Sequence, residues 1–133
     1  MANGIYVLVI SVDKNVRINV GALGSVFFEK GLYAYVGSAQ NNLKRRIERH
    51  LTKVKRKFWH VDYLLGNDVV KVLRGFHRKA EKYEECQIAL KMNKRGIAIK
   101  GFGSSNCRCV SHLFKLKSYR FLREFMHETA LLE

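Results

Sequence analysis

The chain has 133 residues, 47% of them hydrophobic, and it carries 25 Lys and Arg against 11 Asp and Glu. This length predicts one domain over residues 1–133 with a single hydrophobic core. No apolar run approaches the roughly 20 residues that span a bilayer, and the N-terminus lacks a signal-peptide pattern, so we expect a cytoplasmic protein with no membrane partner.

The net charge indicates the class of binding partner, and the cysteine content indicates the redox state of the compartment. The formal net charge of +14 predicts a polyanionic partner, because such an excess of like charge repels itself unless it binds an anion. DNA, ribosomal RNA and an anionic membrane surface would each satisfy this charge, which by itself does not choose among them. Three cysteines, an odd number, do not suggest a disulfide framework and suit a reducing compartment.

The first 30 residues predict antiparallel strands. Residues 5–10 are continuously apolar, as in a central strand covered on both faces, and Tyr6 within this run needs a partner for its hydroxyl. A turn is expected at residues 13–15. Residues 16–20 alternate between apolar and polar side chains, which predicts a half-exposed strand, and residues 25–28 suit a further short strand.

The next strand carries two tyrosines. Alternation over residues 32–36 places Tyr33 and Tyr35 on one face of the sheet. Gly37 and Ser38 are expected to end this strand.

A strongly basic helix is expected to follow. An asparagine at position 41 or 42 caps a helix that begins near Leu43, and its apolar stripe consists of Leu43, Ile47 and Leu51. Arg46 and His50 flank this stripe, whereas Arg45 and Arg49 are predicted to face solvent. A cation and an imidazole beside two tyrosines suit the processing of a phosphodiester, and a basic helix without chemistry is the alternative.

These residues resemble a known family. Gly4-Ile5-Tyr6 opens the first strand, Tyr35-Val36-Gly37 lies in a later one, and Arg46 and His50 follow on the next helix, an order that resembles the GIY-YIG nuclease superfamily. The segment between the two tripeptides is longer than the usual hairpin, which resembles a compact, mainly archaeal branch found alone or joined to a base-excision glycosylase. The resemblance implies an α+β fold with a small, mostly antiparallel central sheet flanked by helices.

Basic and aromatic residues are interleaved over residues 52–60, after the helix that carries Arg46 and His50. Such a segment suits a groove that binds a nucleic-acid backbone and stacks a base, but it equally suits a solvated turn with Trp59 in the core. His60 lies about where some superfamily members carry a second active-site histidine, and a structural role is the alternative. We expect nucleic acid to contact Ser38, Lys53, Lys55, Arg56, Lys57, Trp59, His60 and Asn106.

Another strand over residues 69–76 precedes a helix over residues 81–92, which is expected to bury Tyr83, Cys86, Ala89 and Leu90. Glu85 lies nearer to this buried arc than Glu84. The resemblance implies that one glutamate on a later helix ligates a divalent cation, so Glu85 is the expected ligand of one Mg²⁺ or Mn²⁺. The alternative is that both glutamates only balance a basic protein.

The segment from Gly101 to His112 supplies polar and sulfur groups. Gly101 and Gly103 permit a tight backbone path, and the motif Gly-Phe-Gly-Ser-Ser-Asn-Cys resembles the compact branch closely. Cys107, Cys109 and His112, with Cys86 as a fourth ligand, suit a structural Zn²⁺ site, but free thiols with a buried or phosphate-binding His112 are favoured. Residues 113–116 are expected to form an edge strand. A final helix capped by Ser118 is expected to bury Leu122, Phe125, Met126 and Thr129.

The leading hypothesis is a metal-dependent endonuclease that hydrolyses DNA phosphodiester bonds in repair or processing and associates with the nucleoid. The resemblance implies a catalytic set of Tyr6, Tyr35, Arg46, His50 and Glu85. The alternative is a nucleic-acid-binding module without turnover that targets a partner such as a repair glycosylase. A third hypothesis is an RNA- or ribosome-associated protein, for which charge is the sole argument.

Overall fold

The computed structural model describes residues 3–52, 56–104 and 107–129. The expected α+β fold is confirmed: a six-stranded, wholly antiparallel sheet is flanked by helices. In the order of the sheet its strands are β6 Gly96–Ala98, β7 Leu113–Leu116, β4 Gly31–Ala39, β1 Gly4–Val12, β5 Val70–Arg78 and β8 His127–Thr129. A separate hairpin pairs β2 Val16–Asn19 with β3 Ser25–Phe28. The helices are α1 Leu43–Leu51, α2 His60–Leu65 and α3 Glu84–Arg95.

Strand β1 is the centre of the sheet, as its continuous apolar run predicts. It pairs with β4 on one side and β5 on the other, and alternate side chains enter two separate core clusters. Tyr6 and Leu8 point into the cluster that includes Leu43 of α1 and Leu64 of α2. Val7 points to the opposite side, where α3 packs. Both faces of β1 are therefore covered.

Two expectations about the strands are wrong. Strand β4 does not end at Gly37 and Ser38 but continues to Ala39, because β1 begins at Gly4 and offers hydrogen-bond partners as far as the Gly4–Ala39 pair. Strand β7 is not at the edge of the sheet, since β6 pairs with it on its outer side. The alternation of Tyr33 and Tyr35 onto one face is confirmed, because both join the same core cluster.

The expected C-terminal helix is absent from the described part of the chain. Residues Arg120–Glu124 form a 3₁₀ helix, and β8 then pairs with β5, where Thr129 lies opposite Gly75. The Thr129 hydroxyl also hydrogen-bonds His77 Nδ1 at 2.6 Å. The exposed edge of β5 offers unpaired backbone groups, and satisfying them outweighs a short helix with weak nucleation. Leu122 and Met126 are buried all the same.

The face that α3 buries also differs from the prediction. The helix begins at Glu84 and buries Ile88, Ala89 and Met92. Tyr83 and Leu90, which were expected to be buried, are 70% and 62% exposed. Residues 85, 88, 89 and 92 also follow helical spacing, and Ile88, Ala89 and Met92 of this stripe pack against the core cluster that contains Val7. Glu85 consequently lies on the side of the helix that faces the sheet.

A buried ion pair joins α1 to α2 and corrects the expectation that Arg49 faces solvent. The Arg49 guanidinium donates to both carboxylate oxygens of Asp62, at 2.9 and 3.0 Å, and the Asp62 side chain is fully buried. The backbone N–H groups of Phe58 and Trp59 donate to the same carboxylate. Burial alone would raise the pKa of Asp62, but these hydrogen bonds and the Arg49 charge hold it below its usual value.

We expect Asp62→Asn to lower the free energy of unfolding by about 2 kcal/mol at neutral pH, because it leaves Arg49 facing a neutral group at a desolvated site. Urea unfolding measures this difference. The matched control is Asp68→Asn, at an exposed position, which should stay within about 0.5 kcal/mol of wild type. Equal stability of the two variants would contradict the importance of the pair.

The same pair contributes to the pH dependence of stability. Because the pKa of Asp62 is lower in the folded chain, its contribution is complete above the unfolded value near 3.8 and is lost as pH falls through the folded value. The gap in unfolding free energy between wild type and Asp62→Asn should therefore narrow in acid. A gap that stays constant into acid would assign it to packing instead.

Candidate active site

A cavity of about 180 Å³ opens where the start of β1, the end of β4, α1 and α3 meet. It is lined by Tyr6, Tyr35, Gly37, Ser38, Arg46, Trp59, Lys82, Glu85, Gly103, Cys107 and His112. The fold thus brings together four of the five residues expected to be catalytic, and these four come from four different elements. The fifth, His50, lies directly behind Tyr6.

Tyr6 connects the cavity to the core. Its side chain is 1% exposed, and its hydroxyl is hydrogen-bonded to His50 Nε2 at 2.6 Å. His50 projects from the last turn of α1 and is 2% exposed. Its Nδ1 atom lies 3.9 Å from Asp62 Oδ1. A phenol, an imidazole and a carboxylate therefore follow one another from the cavity into the core.

The second tyrosine lies beside the first. The ring centroids of Tyr6 and Tyr35 are 6.3 Å apart. Burial raises the pKa of both hydroxyls well above the usual value, and the nearby Arg46 charge only partly opposes this effect. Both side chains are neutral phenols at physiological pH, so they act as hydrogen-bond donors and acceptors rather than as free bases.

Gly37 is required by the packing of Tyr6. The two residues are directly opposite each other in the β1–β4 pair, and the Tyr6 ring lies over the glycine. A Cβ atom at this position would overlap the Tyr6 ring and hydroxyl. The glycine of the Tyr35-Val36-Gly37 tripeptide therefore makes room for the tyrosine of the Gly4-Ile5-Tyr6 tripeptide.

Glu85 faces the cavity from the first turn of α3. Its side chain is 15% exposed, and Oε2 lies 3.6 Å from His112 Nδ1. Burial raises the pKa of Glu85, while Lys82, the Ser38 hydroxyl and Arg46 oppose the rise. Glu84 is directed elsewhere: it pairs with Arg78 at 3.3 Å and accepts from the Glu81 backbone N–H. The two neighbouring glutamates therefore have different surroundings, and only Glu85 lines the cavity.

Arg46 is held by the strand and by an aromatic ring. Its guanidinium donates to the Ser38 carbonyl oxygen at 2.9 Å and lies 4.5 Å from the centroid of the Trp59 ring. Arg49 contacts the same ring, also at 4.5 Å. Trp59 is partly buried and lines the cavity, so its ring is engaged by the protein's own cations.

The other residues expected to bind nucleic acid are separated. Arg56 and Lys57 are exposed beside Phe58, which is 67% exposed and is a further candidate for stacking. His60 has a structural contact, since its Nδ1 accepts the backbone N–H of Gly103 at 2.8 Å. Ser38 lines the cavity. The three remaining residues, Lys53, Lys55 and Asn106, lie outside the described residues.

Comparison with known proteins gives one result. The chain matches the model of a domain of unknown function, DUF123, over residues 5–131. The chain belongs to this family. No curated protein and no solved structure matches it. Among the described residues of this DUF123 chain, none of the helices has the length and apolar character needed to cross a membrane.

Sequence reasoning missed two contributors to the site of this DUF123 chain. Lys82 lines the cavity from the turn that precedes α3, and its position three residues before Glu85 could have indicated it. Asp62 lies behind His50, and its position could not be found without the contact between α1 and α2. His112, expected to be buried, is 4% exposed and lines the same cavity. Burial lowers the pKa of His112, which favours a neutral imidazole.

The cysteines differ from the expectation of free thiols. Cys86 and Cys109 are joined in a disulfide, and Cys107 is free. The three cysteines and His112 offer ligand atoms that all lie within 4.8 Å of one another. The chain therefore carries a cluster that could hold a metal ion. A larger, mainly apolar cavity of about 360 Å³ lies against Cys86, Leu90 and Val110. The polar side chains expected to be catalytic line the cavity of about 180 Å³ instead, which makes that cavity the better candidate for an active site.

We expect Gly37→Ala to destabilise the fold by about 2 kcal/mol, because the new methyl group displaces the Tyr6 ring from a close-packed position. Urea unfolding measures the cost. A double-variant cycle provides the control: in a Tyr6→Ala background the overlap is gone, so Gly37→Ala should cost well under about 1 kcal/mol. An equal cost in both backgrounds would show that Tyr6 is not the group in conflict.

Proposed function

We propose that this protein is a metal-dependent endonuclease that hydrolyses DNA phosphodiester bonds, in DNA repair or processing, as its resemblance to the GIY-YIG nuclease superfamily implies. One observation carries the proposal. Two phenols, a guanidinium and a carboxylate from four different elements line one small cavity of a chain with a net charge of +14. Association with the nucleoid follows from a DNA substrate.

The cavity suits a phosphate group. Arg46 and Lys82 place two cations on its wall, and the Ser38 hydroxyl adds a donor. Arg46 is already oriented by its bond to the Ser38 carbonyl, so little side-chain freedom is lost when it binds an anion. These groups would bind a phosphodiester and offset the charge that develops during its hydrolysis.

The same wall suits a hard divalent cation. Glu85 supplies a carboxylate oxygen, the ligand type that Mg²⁺ and Mn²⁺ prefer, and the polar cavity leaves room for ordered water. When bound, such an ion would polarise a phosphoryl oxygen and lower the pKa of water. Lys82 and Arg46 partly neutralise Glu85 in the absence of an ion, which supports retention of an ionised carboxylate there.

A proton path leads away from the cavity. Tyr6 cannot act as a free base, because burial raises its pKa. It can accept a proton from the attacking water only if its own proton passes to His50, 2.6 Å away. Asp62, 3.9 Å beyond, stabilises the imidazolium that then forms. Tyr35, 6.3 Å from Tyr6 between ring centroids, would orient the phosphate as a hydrogen-bond donor.

A binding module without turnover is the second candidate. The observation that favours it is the burial of both phenols, whose raised pKa opposes proton transfer. Such a module would use Arg46, Lys82 and the exposed Phe58 to hold DNA or RNA and target a partner such as a repair glycosylase. It needs neither Glu85 nor a divalent cation.

The test is cleavage of a panel of duplex, branched and single-stranded DNA and of RNA, with Mg²⁺, Mn²⁺ or EDTA. The proposal expects cleavage of at least one DNA that requires the metal and stops in EDTA. Tight binding of several nucleic acids without cleavage would favour the binding module.

Glu85→Gln separates the two candidates. It keeps side-chain size while removing the charge that holds the cation, so we expect cleavage to fall by about 100-fold or more. DNA binding should stay equal or tighten, because a negative charge beside phosphate is lost. The matched control is Glu84→Gln, one residue earlier, which should cleave at the wild-type rate. Equal loss in both variants would assign the effect to the fold of α3.

Arg46→Ala should lower both cleavage and binding, because its cation contacts phosphate before and during the reaction. On duplex DNA the slope of the logarithm of affinity against the logarithm of salt concentration should become shallower by about 0.9, the value of one phosphate contact. Arg45→Ala removes an exposed cation from the same helix and serves as the control. If both variants change the slope equally, Arg46 acts only as surface charge.

A further inference from the structure

Three sulfur atoms and one imidazole nitrogen converge beside the candidate active site. Cys86 comes from the first turn of α3, and Cys107, Cys109 and His112 come from the segment that leads into β7. Their ligand atoms all lie within 4.8 Å of one another. A disulfide needs only two sulfurs, so the pairing of Cys86 with Cys109 does not account for a third thiol and a buried imidazole at the same point.

The distances suit a tetrahedral metal site. With Zn–S of about 2.3 Å and Zn–N of about 2.0–2.1 Å, a tetrahedron separates sulfur from nitrogen by about 3.6 Å and sulfur from sulfur by about 3.8 Å. Cys107 Sγ and His112 Nε2 are 3.4 Å apart. The Cα atoms of Cys86 and Cys109 are 6.1 Å apart, so small side-chain rotations suffice to separate their sulfurs once the bond between them is reduced.

The surroundings of His112 provide independent support. Its Nε2 atom faces Cys107, while Nδ1 lies 3.6 Å from Glu85 Oε2. A histidine that ligates zinc generally directs its other ring nitrogen to a carboxylate or carbonyl, which fixes the ring and its tautomer. The backbone of His112 is also held, since its N–H donates to Phe102 and its carbonyl accepts from Val36. The ligand is therefore oriented before any ion binds.

We propose that the reduced chain binds one Zn²⁺ ion through Cys86, Cys107, Cys109 and His112. Three thiolates and one imidazole are the donor set of structural zinc and a poor set for Mg²⁺. Zinc binding and the Cys86–Cys109 disulfide exclude each other, because a disulfide removes two of the four ligands. The thiols lose their protons when the ion binds.

The proposed ion would be structural rather than catalytic. All four positions are filled by protein groups, so none is left for water or substrate. The site would tie α3 to the segment before β7, which carries the cavity residues Cys107 and His112. It would thereby hold one wall of the cavity in place. This inference concerns a different set of ligands from the nuclease proposal and does not depend on it.

The test begins with the full-length wild-type chain purified in a phosphine reductant. The phosphine breaks the disulfide, is itself oxidised to the phosphine oxide with oxygen from water, and leaves two thiols. After addition of one equivalent of zinc and removal of free ion, elemental analysis should find about one zinc per chain. Intact mass under denaturing conditions reports whether the thiols are reduced.

Cobalt substitution reports the ligands themselves. Co²⁺ in place of zinc should give the intense visible bands of a tetrahedral site and a thiolate-to-metal charge-transfer band in the ultraviolet. Cys107→Ser should lower that charge-transfer band by about a third, since two of three thiolates remain. His112→Asn should weaken metal affinity, and His127→Asn, at an exposed histidine, should not. Glu85→Gln should keep the spectrum with affinity lower by about 10–100-fold.

The outcomes decide the matter without a cleavage assay. A reduced wild-type chain that retains no zinc, or that gives only the weak bands of octahedral cobalt, would overturn the site. So would a chain that keeps its disulfide in the reductant and binds neither metal. If the cobalt spectrum is as expected but no DNA is cleaved, the zinc inference stands while the nuclease proposal fails.

Discussion

The hydrogen bond between Tyr6 and His50 is the constraint on which the rest of the site depends. A phenol buried at the centre of the sheet needs a partner, since an unsatisfied buried hydroxyl costs about 1–3 kcal/mol. His50 meets this need at 2.6 Å, and to do so α1 must place its last turn over β1. The ring in turn requires Gly37 opposite it on β4. Core packing therefore fixes the relative positions of three elements that line the cavity.

Glu85 links the cavity to the cysteine cluster. One of its oxygens lies 3.6 Å from His112 Nδ1, and its carboxylate also lines the cavity beside Tyr6 and Arg46. A carboxylate with two oxygens can serve both neighbours, but its orientation then depends on the position of the imidazole. Cys107 and His112 also line the cavity, so a change at the cysteines, whether oxidation or metal binding, would reach the candidate active site directly and through Glu85. This coupling is local and needs no change of fold.

The fold was predictable where a local pattern of residues is compatible with only one kind of secondary structure. The continuous apolar run of β1, the alternation in β4 and the asparagine cap of α1 each led to the correct element, because these signals are local. The helix expected after Ser118 was wrong because β5 needed a partner, and that need is visible only when the sheet is assembled. The role of Arg49 was missed for the same reason, since Asp62 lies on another helix.

The candidate site was predictable only in part. The resemblance to a known family selected four residues that line one cavity. Only the structure showed that Lys82 lines it too, and that Tyr6, His50 and Asp62 follow one another into the core.

The position of Glu85 bears on the choice between a binding module and an enzyme. A protein that only binds a polyanion gains affinity from cations, and a partly buried carboxylate facing the bound phosphate reduces it by direct repulsion. In this chain basic residues outnumber acidic ones by more than two to one, yet an acidic residue lines the same cavity as Arg46 and Lys82. The repulsion disappears if a divalent cation lies between the carboxylate and the phosphate. Glu85 at this position therefore supports the proposed metal-dependent reaction, whereas in a binding module it would orient His112 but weaken the hold on phosphate.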